Sequence, residues 1–398
     1  MIVETRVEFF SVTRRKRTSE INSSKQIYYA NLNYISVSLI AMSNFSITRL
    51  RLQNQHLLNP EFTSPADIVR YMGAVQSQDY AGAKWALGLR LKNAADALID
   101  KALADGNIIR THVLRPTWHF VHPEDVRWML QLTAKRIQAT AASYHRQLQL
   151  DAQILAKCEK LIVKALKGRQ QLARDEIAAF FNQHSVATNE QRFVHIMEHL
   201  ELEQLVCSGG REGKQFTYAL FDERVPKTKP LDKDEALATL AERYFTSHGP
   251  ATVADFAWWS GLTNTDAKAG LEAIKSKLSS YAVDGNTYWF MERETAVVKT
   301  NMIQLLPNYD EYIVSYKDRG ATIDAKHIGK VDPRGTIFNH TILINGKIEG
   351  LWKRVIKKDV LEVELTPFKA LSQQNLKAVE KAAKVYGRFL GLEQVAMV

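Results

Sequence analysis

Cysteine is scarce in this chain, with only Cys158 and Cys207 among 398 residues. Two thiols cannot make a four-cysteine zinc site, and neither sits in a C-x-x-C pair. A reducing, cytoplasmic compartment fits that usage. Long apolar runs are missing too. None reaches the ~18 residues that a membrane helix needs, so no membrane partner is expected. There is no Walker sequence, no dinucleotide glycine fingerprint, no G-x-S-x-G elbow and no zinc-ligand spacing. A nucleotide-driven enzyme is therefore not expected, and neither a cofactor nor a metal is predicted. His195 and His199 stand at i, i+4, but no third ligand lies near them in sequence, so they read as ordinary helix residues.

Positive charge, by contrast, is in excess. The 53 Lys and Arg outweigh 43 Asp and Glu, giving a net +10 and a pI near 9.3. Such a balance points to an anionic partner, most simply nucleic acid, and says nothing of fold. The first 41 residues hold six basic and three acidic side chains, so the rest of the chain keeps +7. That leading segment carries Arg14-Arg15-Lys16-Arg17 and a short, polar-interrupted apolar stretch. Residues 1–42 read as a disordered tail or an upstream extension before a start at Met42. Over the whole chain, 45% apolar and 24% charged residues predict an ordinary globular core.

Periodicity and punctuation predict one order of segments three times. In residues 43–150, Leu50, Leu57 and Leu58 recur at helical spacing. Ser64 and Pro65 open a second helix, and a short helix near 94–104 follows. IIRTHVLRPTWHFV then alternates as a strand or hairpin. In residues 151–226, a lysine-rich helix precedes two more helices and a hairpin with Gly209, Gly210 and Gly213 at its turn. In residues 231–300, Thr252 caps a short helix, Gly261 ends it, and another starts near Asn264. Helix-helix-helix-wing is the order of a winged helix. Residues 301–398 turn β-rich, with Asn345-Gly346 as a two-residue hairpin signal and a closing helix over 371–391. The predicted class is mainly α with β wings (α+β): three tandem winged-helix units plus a β-rich C-terminal region. Tandem winged helices with excess positive charge favour double-stranded DNA.

Gln76 and Gln78 are the most informative pair. Glutamines at i and i+2 share a face only on extended backbone. Paired carboxamides can orient a water or grip a base edge, yet they do not titrate near neutral pH. A turn with surface glutamines explains the same letters. Asp79 is a helix cap or tunes the site. Arg110 lies on the predicted strand that follows, where Arg115, Thr117 and His119 share one face, while Trp118 and Phe120 on the other face belong to the core. LLPNYDEYIVSYKDR clusters Asp310, Glu311, Tyr312 and Arg319, either as acid–base groups or as an internal Asp–Arg pair that fixes a loop. Lys353 and Arg354 are a phosphate-binding rim or a solvated basic face.

Gln76-Ser77-Gln78, RPTWHFVHPED at 115–125, LLPNYDEYIVSYKDR at 305–319 and NGKIEGLWKR at 345–354 together resemble one family. It is the bacterial winged-helix DNA-binding family of alkylpurine and interstrand-crosslink DNA glycosylases, of the azinomycin-resistance type. The likeness runs from about Phe45 to Leu392. It implies three tandem winged helices around a concave basic surface for duplex DNA. It also implies a Q-x-Q motif, here Gln76 and Gln78, as the catalytic pair, and a β-hairpin in the cleft. A sister branch has Asp in the second place, and Pro116 stands where the family often has glycine. The resemblance implies a monofunctional glycosylase, a monomer acting on nucleoid DNA. From the strand, cluster and basic-face readings above, Asp79, Arg110, Arg115, Thr117, His119, Asp310, Tyr312, Arg319, Lys353 and Arg354 are the candidate DNA- or lesion-binding residues. The chemistry suits amides: an N3- or N7-alkylated purine is already cationic and leaves without acid assistance. The alternative is a non-catalytic winged-helix DNA-binding protein or transcriptional regulator, which would dimerise on paired half-sites.

Overall fold

Three stretches of the chain repeat one order: helix, short strand, two helices, hairpin. This computed structural model describes residues 44–398 apart from 169–170, 190, 294–301 and 334–337, and side chains from Ile47 onward. The tail or extension expected over 1–42 lies outside the described residues.

A leading helix, α1 (Asn44–Asn54), precedes the first repeat. The helix stops at Asn54, and His56 takes a positive φ of 55°, so Leu57 and Leu58 lie beyond it rather than on its face. Leu57 is still buried. Next come α2 (Pro65–Met72), β1 (Ala74–Gln76), α3 (Tyr80–Gly88) and α4 (Asp96–Ala104). The hairpin β2 (Ile109–Val113) and β3 (Arg115–Val121) completes a sheet in the order β1-β3-β2. Ser64 stands extended at the N-cap before Pro65 but makes no side-chain capping hydrogen bond, and Gly73 at φ +81° ends α2. That positive φ suits glycine and turns the chain straight into β1. Asp79 caps α3 by accepting the Gly82 N–H at 3.2 Å.

A long helix, α5 (Val126–Gln147), leads to the second repeat: α6 (Ala152–Leu166), β4 (Leu172–Ala173), α7 (Arg174–Gln183), α8 (Arg192–Leu202), β5 (Val206–Ser208) and β6 (Thr217–Leu220). Its sheet order is β4-β6-β5, the same pattern. The third has α9 (Lys233–Ser247), α10 (Val253–Ser260), α11 (Asn264–Ile274) and the hairpin β7 (Ser279–Val283) with β8 (Asn286–Phe290). Here the first strand is reduced to one bridge, Ala251 to Trp289. Thr252 caps α10 in a reciprocal box with Asp255, and Gly261 ends it at φ +67°.

The C-terminal part is a five-stranded sheet ordered β13-β12-β11-β10-β9, made from β9 (Ile303–Leu306), β10 (Thr341–Ile344), β11 (Lys347–Lys357), β12 (Val360–Pro367) and β13 (Gln394–Met397). Asn345 and Gly346, both at positive φ, make the β10–β11 turn. The closing helix α12 spans Gln373–Phe389. After it β13 pairs in parallel with β12, a strand that four residues of weak alternation do not announce. The mixed helix-and-strand make-up agrees with the class read from the sequence.

Ile47–Val398 forms one compact unit. One core joins the first repeat to the C-terminal sheet through Val75, Trp85, Phe120, Leu305 and Trp352. A second joins that repeat to the third through Ala74, Val113, Tyr244 and Trp259. β1 and β3 lie between the two cores, so their two faces meet different neighbours.

Candidate active site

β1 is an edge strand of three residues, and Gln76 is its last. Gln76 is opposite His119, which is opposite Thr111 on β2. Directly paired residues of antiparallel strands share a face. Gln76, His119 and Thr111 therefore form a row, with Thr117 and Arg115 further along the same face of β3. The register bears out the alternation expected for Arg115, Thr117 and His119. On the opposite face Phe120 is fully buried, whereas Trp118 is only partly so.

Gln76 is buried at 6% exposure and fixed at two points. Its N–H, pointing away from β3, donates to Glu311 Oε1 at 2.6 Å. Its side-chain carbonyl accepts from Arg115 Nη2 at 2.9 Å. Gln78 is different: the strand has ended, the backbone bends, and the side chain is exposed. It makes no hydrogen bond to the described residues. Between the two, Ser77 donates its N–H to Trp118 O at 2.7 Å and accepts from Arg110 through its carbonyl.

His119 is fully buried. Nδ1 donates to Thr117 O at 2.9 Å, which leaves Nε2 as an acceptor without a partner among the described residues. Burial first and the Arg115 charge second lower its pKa to about 3, so it is neutral at physiological pH. The Thr111 and Thr117 hydroxyls and Arg115 Nε are also buried without partners among the described residues. One sheet face thus carries a row of buried polar atoms without a hydrogen-bond partner among the described residues.

Glu311 was only one letter of a cluster in the sequence, and the structure puts it next to Gln76. It is fully buried. Besides the Gln76 N–H it accepts from Trp259 Nε1 at 3.1 Å and from the Ser315 hydroxyl. His248 Nε2 stands 3.6 Å away. Burial works against the charged form. His248 and the hydrogen bonds from Ser315 and Gln76 outweigh it, so the carboxyl lies below its usual range. Burial also lowers the His248 pKa, while the Gln76 N–H holds one oxygen of Glu311 and Trp259 Nε1 and the Ser315 hydroxyl hold the other. His248, Trp259 and Ser315 come from distant segments, and no local signal in the sequence ties them to the glutamines.

The other candidates divide. Arg110 is on the opposite sheet face, stacked at 4.6 Å over Trp118 and 4.5 Å over Phe216, its pKa lowered to about 10 chiefly by burial. Asp79 is the cap of α3, and its charge also acts on Arg354 and His340. Asp310 is fully buried, and its partner is Arg90, in a bidentate pair of 2.9 and 2.8 Å, not Arg319. Tyr312 is fully buried and donates to Gly346 O at 3.0 Å. Both therefore build the loop. Arg319 donates to Ile313 O and lies over Trp258 and Phe338. Arg354 is half-buried over Tyr386, while Lys353 is exposed. Nearby, β11 and β12 form a long hairpin whose outer part exposes Val355 and Ile356, each at 51%, beside Lys357 and Lys358.

His195 pairs with Glu198 and His199 with Glu159, so each already has a carboxylate partner. Among the described residues no helix is long and apolar enough to cross a membrane.

A family model described as "DNA glycosylase AlkZ-like" matches residues 69–389. An interstrand DNA cross-link repair glycosylase from Streptomyces sahachiroi is 24% identical over 366 residues, covering 87% of this chain and 96% of that protein. The solved structure of Streptomyces sahachiroi DNA glycosylase AlkZ superimposes with a TM-score of 0.72 at 22% identity, covering 89% of this chain and 98% of that one. The matched span takes in the Gln76–Arg115–Glu311 contacts, the first repeat from within α2, the other two repeats and most of the C-terminal sheet, and on that basis the chain belongs to the AlkZ-like DNA glycosylase family.

Proposed function

We propose that this DNA glycosylase removes cationic N3- or N7-alkylated purines, including crosslinked ones, from duplex DNA, with Gln76 and Gln78 as the catalytic pair. The observation that carries the reading is the fixation of Gln76 at both its N–H and its carbonyl, next to an exposed Gln78. A positively charged purine is a good leaving group. The C1′–N bond breaks with its electron pair staying on the base, which becomes neutral. Water then forms the C1′–O bond and loses its proton to solvent. The enzyme's task is to orient that water and to stabilise a cationic sugar, and preorganised amides suffice for both. Neither glutamine titrates, so excision should proceed without a general acid.

In this proposal the three repeats, within 43–150, 151–226 and 231–300, are winged helices that hold duplex DNA mainly through phosphates, and a monomer suffices. The β11–β12 hairpin, apolar and basic at its outer part, is the hairpin that enters the cleft. The proposed setting is the cytoplasm, on nucleoid DNA.

The test compares leaving groups. Purified protein should release 7-methylguanine and a bulky N3- or N7-alkylpurine from duplex DNA and leave a neutral base adduct untouched. Equal release of cationic and neutral adducts would refute the leaving-group argument.

A further inference from the structure

We propose that Glu311 is a positioning residue for Gln76. This rests on the reading of Gln76 as catalytic. β1 is the edge of its sheet, so the N–H of Gln76 has no neighbouring strand to pair with. Glu311 Oε1 takes that place at 2.6 Å and fixes the end of the strand. The same carboxylate acts on the other end of the glutamine. Its charge favours the charged form of Arg115, whose Nη2 holds the Gln76 carbonyl. One buried anion thus holds the backbone of Gln76 directly and favours the charge of the arginine that holds its side chain.

The aim of Glu311 is itself fixed. It opens a single helical turn, Glu311–Val314, capped by Asp310, whose carboxylate accepts the Tyr312 N–H at 2.9 Å. Asp310 is gripped by Arg90. Trp259 Nε1 and the Ser315 hydroxyl hold the second oxygen of Glu311. This buried carboxylate has one ion-pair neighbour among the described residues, His248 at 3.6 Å, and is a costly way to anchor a strand. Its charge is well suited to a reaction whose transition state is cationic.

A double-mutant cycle on the full chain tests this. Glu311→Gln, Glu311→Asp, Gln76→Ala and the doubles are compared by single-turnover excision and by DNA affinity, with thermal melts to confirm folding. Glu311→Gln should slow excision roughly tenfold to a hundredfold, the loss of a hydrogen bond to a charged group, with affinity unchanged. Glu311→Asp keeps the charge and withdraws it from the Gln76 N–H, so it should slow excision in the same direction and decides the matter if Glu311→Gln does not fold. In the Gln76→Ala background either change should add less than about twofold, because contacting residues are not additive. A fully additive effect, or a wild-type rate in both Glu311 variants, overturns the proposal while leaving Gln76 catalytic. A wild-type rate in Gln76→Ala overturns the catalytic reading and the positioning role with it.

Discussion

Asp310→Ala should cost the protein about 3–5 kcal/mol of folding stability, the typical cost of removing one partner of a buried ion pair. Arg90 and Asp310 are exposed by only 1% and 0% at their side chains. The substitution deletes both guanidinium contacts, at 2.9 and 2.8 Å, and the cap on the Tyr312 N–H. Arg90 keeps its bonds to Gln55 Oε1 at 2.7 Å and Ala86 O at 2.8 Å, yet its charge is then buried without a counter-ion. Against a total of about 5–15 kcal/mol the loss is large. Urea unfolding followed by tryptophan fluorescence reads it as a lower midpoint at unchanged slope. Asp310→Asn, which keeps the shape and one acceptor, should lose about 1–3 kcal/mol. Replacing both partners, as Arg90→Met with Asp310→Leu, should recover much of the loss. At a temperature where the variants remain folded, DNA affinity should match wild type, since Asp310 does not reach the surface. An Asp310→Ala midpoint within about 1 kcal/mol of wild type would refute the reasoning, and so would a selective loss of DNA affinity.

Gly261→Ala should destabilise by roughly 1–3 kcal/mol in the same assay, because a left-handed φ of +67° meets a Cβ placed 2.2 Å from Leu114 O. Stability should fall as pH drops from about 6.5 toward 4. His119 and His340 have folded pKa values lowered to about 3 and 4 from 6.5, so the unfolded chain binds more protons in that window. The stability they confer is fully present above pH 6.5, and His119→Gln should flatten the acid limb of the urea midpoint. DNA affinity should fall steeply with salt, and Lys358→Gln should reduce the logarithmic salt slope by about 1 if the β11–β12 hairpin contacts phosphate.

Much of the fold is written locally. Pro65 at the first helical position, the Thr252 cap, Gly261 and Asn345-Gly346 each act within a few residues and appear where local chemistry predicts them, whereas Ser64, expected as a cap, makes no side-chain capping hydrogen bond. The alternation of Arg115, Thr117 and His119 is local too. The site is legible only in part. Gln76 is in a strand as an i, i+2 pair requires, but the strand stops there and Gln78 bends away. Spacing in the 310–319 cluster does not reveal which carboxylate turns toward the glutamines. Asp310 meets Arg90 across 220 residues and Glu311 meets Gln76 across 235, so adjacent letters go to separate tasks. Trp259, His248 and Ser315 enter through packing of the first and third repeats, which no short motif encodes.

Single-turnover release of free base from 7-methylguanine-containing duplex DNA, measured for wild type, Gln76→Ala and Gln78→Ala at equal DNA occupancy, tests the central claim most directly. Each alanine should slow release by about 2–4 kcal/mol of transition-state stabilisation, or roughly 30- to 900-fold, with DNA binding nearly intact. Gln78→Glu should retain activity if that side chain orients water through its oxygen. Release at wild-type rates by both alanine variants would contradict the account.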